Sequence, residues 1–278
     1  MFNSTSIIID NTGRTPNAFT SFIEGMNHAY GNNIDNVYVL GERYDLLEEF
    51  GYIYGENFLD NIRDIHQYGA PIGHGMHVYF PTNATLEFNY TGDNKYRVAR
   101  SFSPIYAANG NFVLEGANIV ARNARYCVHD DNNQSHESHE YSNCKMYLDN
   151  SDITSPQNAG IWRCIGGGFG YYCSYFVHDC EFEVNGIPQD GIPTGKLVGI
   201  VNYHDNAFGN EGSNYLYIYN NVFKGIGTAG ATYYGNLETL SYVYIHNNTM
   251  GSEPYIDAET SGSHTNNLVL TQHDNVIQ

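Results

Sequence analysis

A weak unit recurs through the second half of the chain: alternating apolar residues, a small or amide residue, one spacer, then an apolar anchor. It reads Gly116-Ala117-Asn118-Ile119, Asn143-Cys144-Lys145-Met146, Asp179-Cys180-Glu181-Phe182, Asn220-Asn221-Val222-Phe223, Asn247-Asn248-Thr249-Met250 and His273-Asp274-Asn275-Val276. Successive anchors lie 27, 36, 41, 27 and 26 residues apart. A period of this size marks a solenoid, in which one unit cannot bury its apolar face alone and neighbouring units stack to do so. The short spacings suit one coil of a β-helix, and the two longer ones imply inserted loops. Like side chains then form ladders along the axis. Asn220-Asn221 and Asn247-Asn248 fall at equivalent turns, where asparagine tolerates left-handed backbone and its amide can bond from coil to coil.

An antiparallel sandwich is the rival fold, since it also has short strands and regular turns. It calls for hairpin signals, and Asn109-Gly110 and Asn185-Gly186 are the only Asn-Gly dipeptides. The expected class is therefore all-β: a right-handed, single-stranded parallel β-helix with a short N-terminal helical cap and a small helical insertion. Residues 1–75 are assigned to cap and insertion, and 76–278 to one continuous solenoid. In the cap, Ile7-Ile8-Ile9 reads as a strand. Thr15 can cap a helix with Pro16 at its first position. Ala18, Phe19, Phe22, Ile23, Met26, Ala29 and Tyr30 then fall on one helical face. Residues 47–68 carry Phe58, Leu59, Ile62 and Ile65 at helical spacing and read as an insertion outside the coil.

Charge limits the partners. Asp and Glu number 30 against 12 Lys and Arg, a formal net charge of -18, and that field repels nucleic acid. It also disfavours a polyanionic glycan unless calcium or a basic patch reverses it locally, so a neutral or mixed glycan is the easier ligand. No apolar run is long enough to span a bilayer, which predicts no membrane insertion, and Met1-Phe2-Asn3-Ser4-Thr5 lacks the pattern of a signal peptide. Export is expected to use another route or a removed leader. The five cysteines, Cys127, Cys144, Cys164, Cys173 and Cys180, are odd in number and match no zinc signature; they read as free, buried thiols.

A second strand recurs between the anchors, at 125–131, 160–165 and 199–205. If these occupy one face of successive coils, His129, Asp130, Asp131, Arg163, His204 and Asp205 converge on a groove, with Trp162 and Tyr203 beside them. Asp130, Asp131 and Asp205 are the candidate acids and bases of glycoside hydrolysis or β-elimination. His129, Arg163, His204, Trp162 and Tyr203 are the candidate substrate contacts. A His-Asp step can equally be a strand end whose aspartate caps a turn. Ser135-His136-Glu137-Ser138-His139-Glu140 has metal-ligand residue types but reads as a solvated surface loop, so no metal site or obligate cofactor is assigned. Were calcium bound, Asp130, Asp131 and Glu137 would be its oxygen ligands. Gly73-His74-Gly75 has the form of a polygalacturonase motif without the paired aspartates, and it precedes the first clear coil. Gly166-Gly167-Gly168 reads as a close backbone approach rather than a phosphate loop.

Several of these stretches together resemble a known family. The turn and helix over 10–22, the step Gly41-Glu42-Arg43-Tyr44-Asp45-Leu46, the runs 125–131 and 165–170, and Tyr203-His204-Asp205-Asn206 are similar to segments of pectate-lyase-like β-helix proteins of bacteriophages and gut bacteria. The resemblance covers nearly the whole chain. It implies a tail-spike or tail-fibre role, with depolymerisation or binding of a host-surface glycan. It further implies a virion-tail or extracellular location, and a homotrimer or larger tail assembly. It assigns no catalytic residues, because those differ between members, and it leaves a noncatalytic receptor-binding or structural module as the alternative.

Overall fold

The computed structural model describes residues 5–62, 67–131, 136–154, 163–169, 172–186, 201–205, 213–225, 230–233, 240–251, 255–258 and 268–278. Strand β1 (Ser6–Asp10) precedes helix α1 (Phe22–Gly31). The first coil runs β2 (Asn36–Leu40), β3 (Arg43–Asp45), α2 (Leu46–Tyr54) and β4 (Gln67–Ile72); the second runs β5 (Met76–Tyr79), β6 (Thr85–Asn89), α3 (Lys95–Ser101) and β7 (Phe102–Ala107). Next come β8 (Phe112–Glu115), β9 (Asn118–Arg122) and β10 (Tyr126–Asp131), then β11 (Ser138–Ser142), β12 (Lys145–Asp149) and β13 (Arg163–Phe169). The fifth coil is β14 (Ser174–His178), β15 (Glu181–Asn185) and β16 (Val201–Asp205), and the sixth is β17 (Ser213–Tyr219), β18 (Val222–Gly225) and β19 (Gly230–Tyr233). The chain closes with β20 (Leu240–His246), β21 (Thr249–Met250), β22 (Tyr255–Ala258), β23 (Leu268–His273) and β24 (Val276–Ile277).

The first five coils each contribute one strand in turn to each of three parallel sheets, and the later coils continue the first two of these sheets. Sheet 1 has the order β1-β2-β5-β8-β11-β14-β17-β20-β23, sheet 2 the order β3-β6-β9-β12-β15-β18-β21-β24, and sheet 3 the order β4-β7-β10-β13-β16; β19 and β22 pair separately. This is a parallel β-helix, and the crossover rule for parallel strands gives it a right-handed winding. Sheet 1 begins at Ser6, sheet 2 at Arg43 and sheet 3 at Gln67. Among the described residues no helix is long and apolar enough to cross a membrane.

The anchors stack as the repeat predicts: Ile119 on Met146, Met146 on Phe182, and Phe182 on Phe223. The last rung differs, because Met250 pairs with Ile277 rather than Val276. Asp274, not His273, takes the left-handed turn position, with φ 54°. That position, between sheets 1 and 2, is held in earlier coils by Gly116, Asn143, Asp179, Asn220 and Asn247, with φ of 74°, 54°, 55°, 57° and 54°. The next residue turns inward and is buried, as at Ala117, Cys144, Cys180, Asn221 and Asn248. Here the amides bond from coil to coil. Asn248 Oδ1 accepts from the Asn221 backbone N–H at 2.9 Å and Asn275 Oδ1 from that of Asn248 at 3.0 Å, while Asn248 Nδ2 donates to the Ile218 carbonyl at 2.9 Å. All five cysteines are buried and none is in a disulfide. Burial pushes the thiols of Cys127 and Cys180 well up.

The cap departs from expectation in its start. Helix α1 begins at Phe22 with Ser21 as N-cap, whose hydroxyl accepts from the Glu24 N–H. Thr15 instead donates its hydroxyl and its N–H to Asp10 Oδ2, at 2.6 and 3.1 Å, so its oxygen is spent on a turn. Asn17, with φ 61°, then interrupts any helix before Phe22.

Candidate functional site

The three strands expected to share a face do so, since β10, β13 and β16 are neighbours in sheet 3. Their register corrects the proposed alignment. His129 lies beside Gly166 and Asn202, whereas Asp131 lies beside Gly168 and His204. The His129-Asp130 and His204-Asp205 steps are thus two residues out of phase, not stacked.

Asp130 does not look out onto a groove. It is fully buried, with Oδ1 2.7 Å from His139 Nδ1 and Oδ2 accepting the Tyr141 hydroxyl at 3.0 Å. A buried carboxylate must find partners in the protein interior, and the inward residues of β11 supply them. His129 and Arg163 are each only 2% exposed, so neither is open to substrate on the described surface. Asp131, Tyr203, His204 and Asp205 are placed by backbone register alone, and Trp162 lies outside the described residues. The Gly166-Gly167-Gly168 run is a close approach, as its composition suggests. A Cβ at Gly166 would sit 2.6 Å from the Tyr126 ring.

The stretch around His139 is not a surface loop. Strand β11 starts at Ser138, and His139 is buried between the rings of Phe112, at 4.3 Å, and Tyr175, at 5.3 Å. Its Nε2 lies 3.4 Å from Glu137 Oε2, and Glu137 Oε1 accepts the Gly110 N–H at 2.7 Å. Burial opposes the charged imidazole, but Asp130 and Glu137, one at each ring nitrogen, outweigh it and raise the pKa of His139 to about 9. Burial and the nearby Asp130 push the Tyr141 phenol well up. The oxygens of Asp130 and Glu137 that would serve calcium are engaged in this network, and no metal-holding cluster of three His, Cys, Asp or Glu occurs among the described residues. His136, by contrast, is exposed and stacks on Tyr172 at 4.7 Å. Gly73-His74-Gly75 forms the turn between β4 and β5, where His74 stacks on Tyr30 of α1 at 4.1 Å.

The face that meets solvent with a repeated chemistry is the outer side of sheet 1. Alternation along β14, β17 and β20 buries Tyr175, Val177, Leu216, Ile218, Val243 and Ile245 and turns the intervening residues outward. Phe176, Tyr217 and Tyr244 form one column, with ring centroids 5.0 and 4.8 Å apart. Tyr215 and Tyr242 form a second, 5.1 Å apart. His178, Tyr219, His246 and His273 form a third, at 4.8, 5.3 and 4.8 Å. All these stacks are parallel to within 8°. Burial, and the neighbouring His273, lower the pKa of His246. Glu140 and Asp179 bond His178 at 3.2 and 2.7 Å. Sequence reasoning missed this face, although its signal is present: Tyr215, Tyr217 and Tyr219 alternate with apolar residues, as do Tyr242, Tyr244 and His246.

A cleft of about 790 Å³ lies beside α2, with Asp45, Phe50, Tyr52 and Asp60 among its lining residues. Two of its carboxylates serve the fold: Asp45 caps α2 and Asp60 takes the Tyr90 hydroxyl. Comparison with protein-family models, with curated proteins and with solved structures finds no match to this chain.

Proposed function

We propose that the chain is a glycan-binding β-helix whose contact surface is the outer face of sheet 1, acting as a noncatalytic receptor-binding module. The observation that carries this reading is the array of three ring columns, four, three and two rings long, whose phenol and imidazole groups reach solvent. Such groups both donate and accept hydrogen bonds, which suits sugar hydroxyls. The formal charge of -18 favours a neutral glycan over a uronate polymer. The resemblance noted above extends the proposal to a tail-spike-like protein at a virion tail or cell exterior, trimeric, engaging a host-surface glycan.

Polysaccharide cleavage is the second reading. Its support is the register column that sets Asp131 and His204 on either side of Gly168, with Asp205 one residue further along β16; an acid and a base so placed could serve hydrolysis or elimination. Incubation with a panel of bacterial surface glycans separates the two. Retention without new reducing ends or unsaturated uronates supports the binding module. Released oligosaccharide, lost in Asp131→Asn or Asp205→Asn, establishes the depolymerase. No retention and no product would remove both.

A further inference from the structure

We infer that the outer face of sheet 1 takes an extended, equatorially linked neutral glycan lying along the helix axis, with one sugar ring per coil. This rests on the glycan-binding reading above and adds the shape and direction of the ligand.

The argument begins with what the stacked rings leave open. Centroid spacings of 4.8 to 5.3 Å place each aromatic face against the next, so no planar group can enter between them. A sugar therefore cannot stack on these faces as it would on an isolated tryptophan. What remains for solvent is a row of ring edges, phenol hydroxyls and imidazole nitrogens. Ring edges carry the positive side of the aromatic quadrupole, and the hydroxyls can donate or accept. Both suit the oxygens of a neutral sugar.

The repeat then selects the polymer. The rings recur at the separation of neighbouring parallel strands, and an extended chain of equatorially linked pyranoses advances by nearly the same step per sugar. Such a chain laid along the axis meets an aromatic or imidazole ring at each coil from β14 to β23, along the column of His178, Tyr219, His246 and His273. An axially linked, helical glucan curls away after one or two contacts. Across the axis, Tyr215 and Tyr217 are 6.4 Å apart and parallel to within 5°, so adjacent columns can hold the two edges of one ring. Glu140, Asp179 and Asp274 border the histidine column and weigh against a carboxylated sugar. The column of His178, Tyr219, His246 and His273 spans β14, β17, β20 and β23, which sets a footprint of four sugars, while the two tyrosine-bearing columns cover three and two of these strands.

Calorimetric titration of the full chain with cello- and manno-oligosaccharides of two to six sugars, against malto-oligosaccharides of the same lengths, tests this. Affinity for the extended series is expected to rise with each sugar up to four and then level, with the malto series much weaker. Tyr217→Phe and Tyr244→Phe keep the ring stack and remove one hydroxyl each, and each is expected to weaken binding about five-fold. Equal or better binding of the malto series, or unchanged binding by both variants, overturns the inference and leaves glycan binding itself standing. Failure of every glycan on a broad panel overturns both. An oligomer that Tyr217→Arg dissociates, seen by light scattering, would identify the face as a subunit interface and also overturn it.

Discussion

Replacing Asn248 by alanine tests the element that holds the coils in register. Asn248 is 1% exposed. Its Oδ1 accepts from the backbone N–H and the side-chain amide of Asn221, at 2.9 and 3.0 Å, and its Nδ2 donates to the Ile218 carbonyl at 2.9 Å. Alanine deletes these three bonds and a fourth, from Nδ2 to Asn275 Oδ1 at 3.1 Å. The Asn221 amide keeps the Val177 carbonyl, 2.9 Å away, but the Asn221 N–H and the Ile218 C=O lose these partners in a buried place. Each orphaned group costs about 1–3 kcal/mol, so the expected destabilisation is about 4 kcal/mol. Asn275→Ala is the internal control. It removes the same kind of bonds, to the Asn248 N–H and the Ile245 carbonyl, at a rung that is only partly buried, where water can replace them for about 1 kcal/mol. Urea unfolding followed by circular dichroism gives both values, provided the slope with denaturant is unchanged. A loss at Asn248 below about 1 kcal/mol, or no larger than that at Asn275, would refute the claim that the amide ladder ties coil to coil.

Two further outcomes follow from the buried network and from the packing of the first coil. The folded-state pKa of His139, about 9, lies above the ordinary 6.5; its stabilisation is therefore complete below about pH 6.5 and is lost as pH rises through 9, on the order of 3 kcal/mol in all. His139→Gln should abolish that slope in stability between pH 6.5 and 9, and an equally sloped variant would show that the charge on His139 is not its source. Gly69→Ala places a Cβ 1.9 Å from the Pro104 carbonyl oxygen, so sheet 3 must part at β4 and β7. A loss of more than about 2 kcal/mol is expected, and an unchanged melting temperature would contradict the close approach.

The architecture was legible because its cause is local and repeated. A left-handed residue, an inward spoke and an apolar anchor recur where each coil turns from sheet 1 to sheet 2, and the residue types that permit this, Asn, Asp and Gly followed by a small or amide side chain, can be read directly. Where two such types stand side by side, at His273-Asp274-Asn275, composition alone does not say which residue takes positive φ, and the last anchor is Ile277 rather than Val276. The candidate site was less legible because it depends on register across coils of unequal length. Insertions of different size separate β10, β13 and β16, so equal His-Asp steps in sequence do not fall at equal heights. Nor does a carboxylate announce its direction. Asp130 is a stranded acid in sequence and becomes an interior one only because His139 and Tyr141, nine and eleven residues later, present an imidazole and a phenol to it. The tyrosine columns are the reverse case: alternation made their outward direction readable, but only the stacking of successive coils turns scattered tyrosines into a repeating surface. It is this repeat, rather than any single residue, on which a polymeric ligand could act.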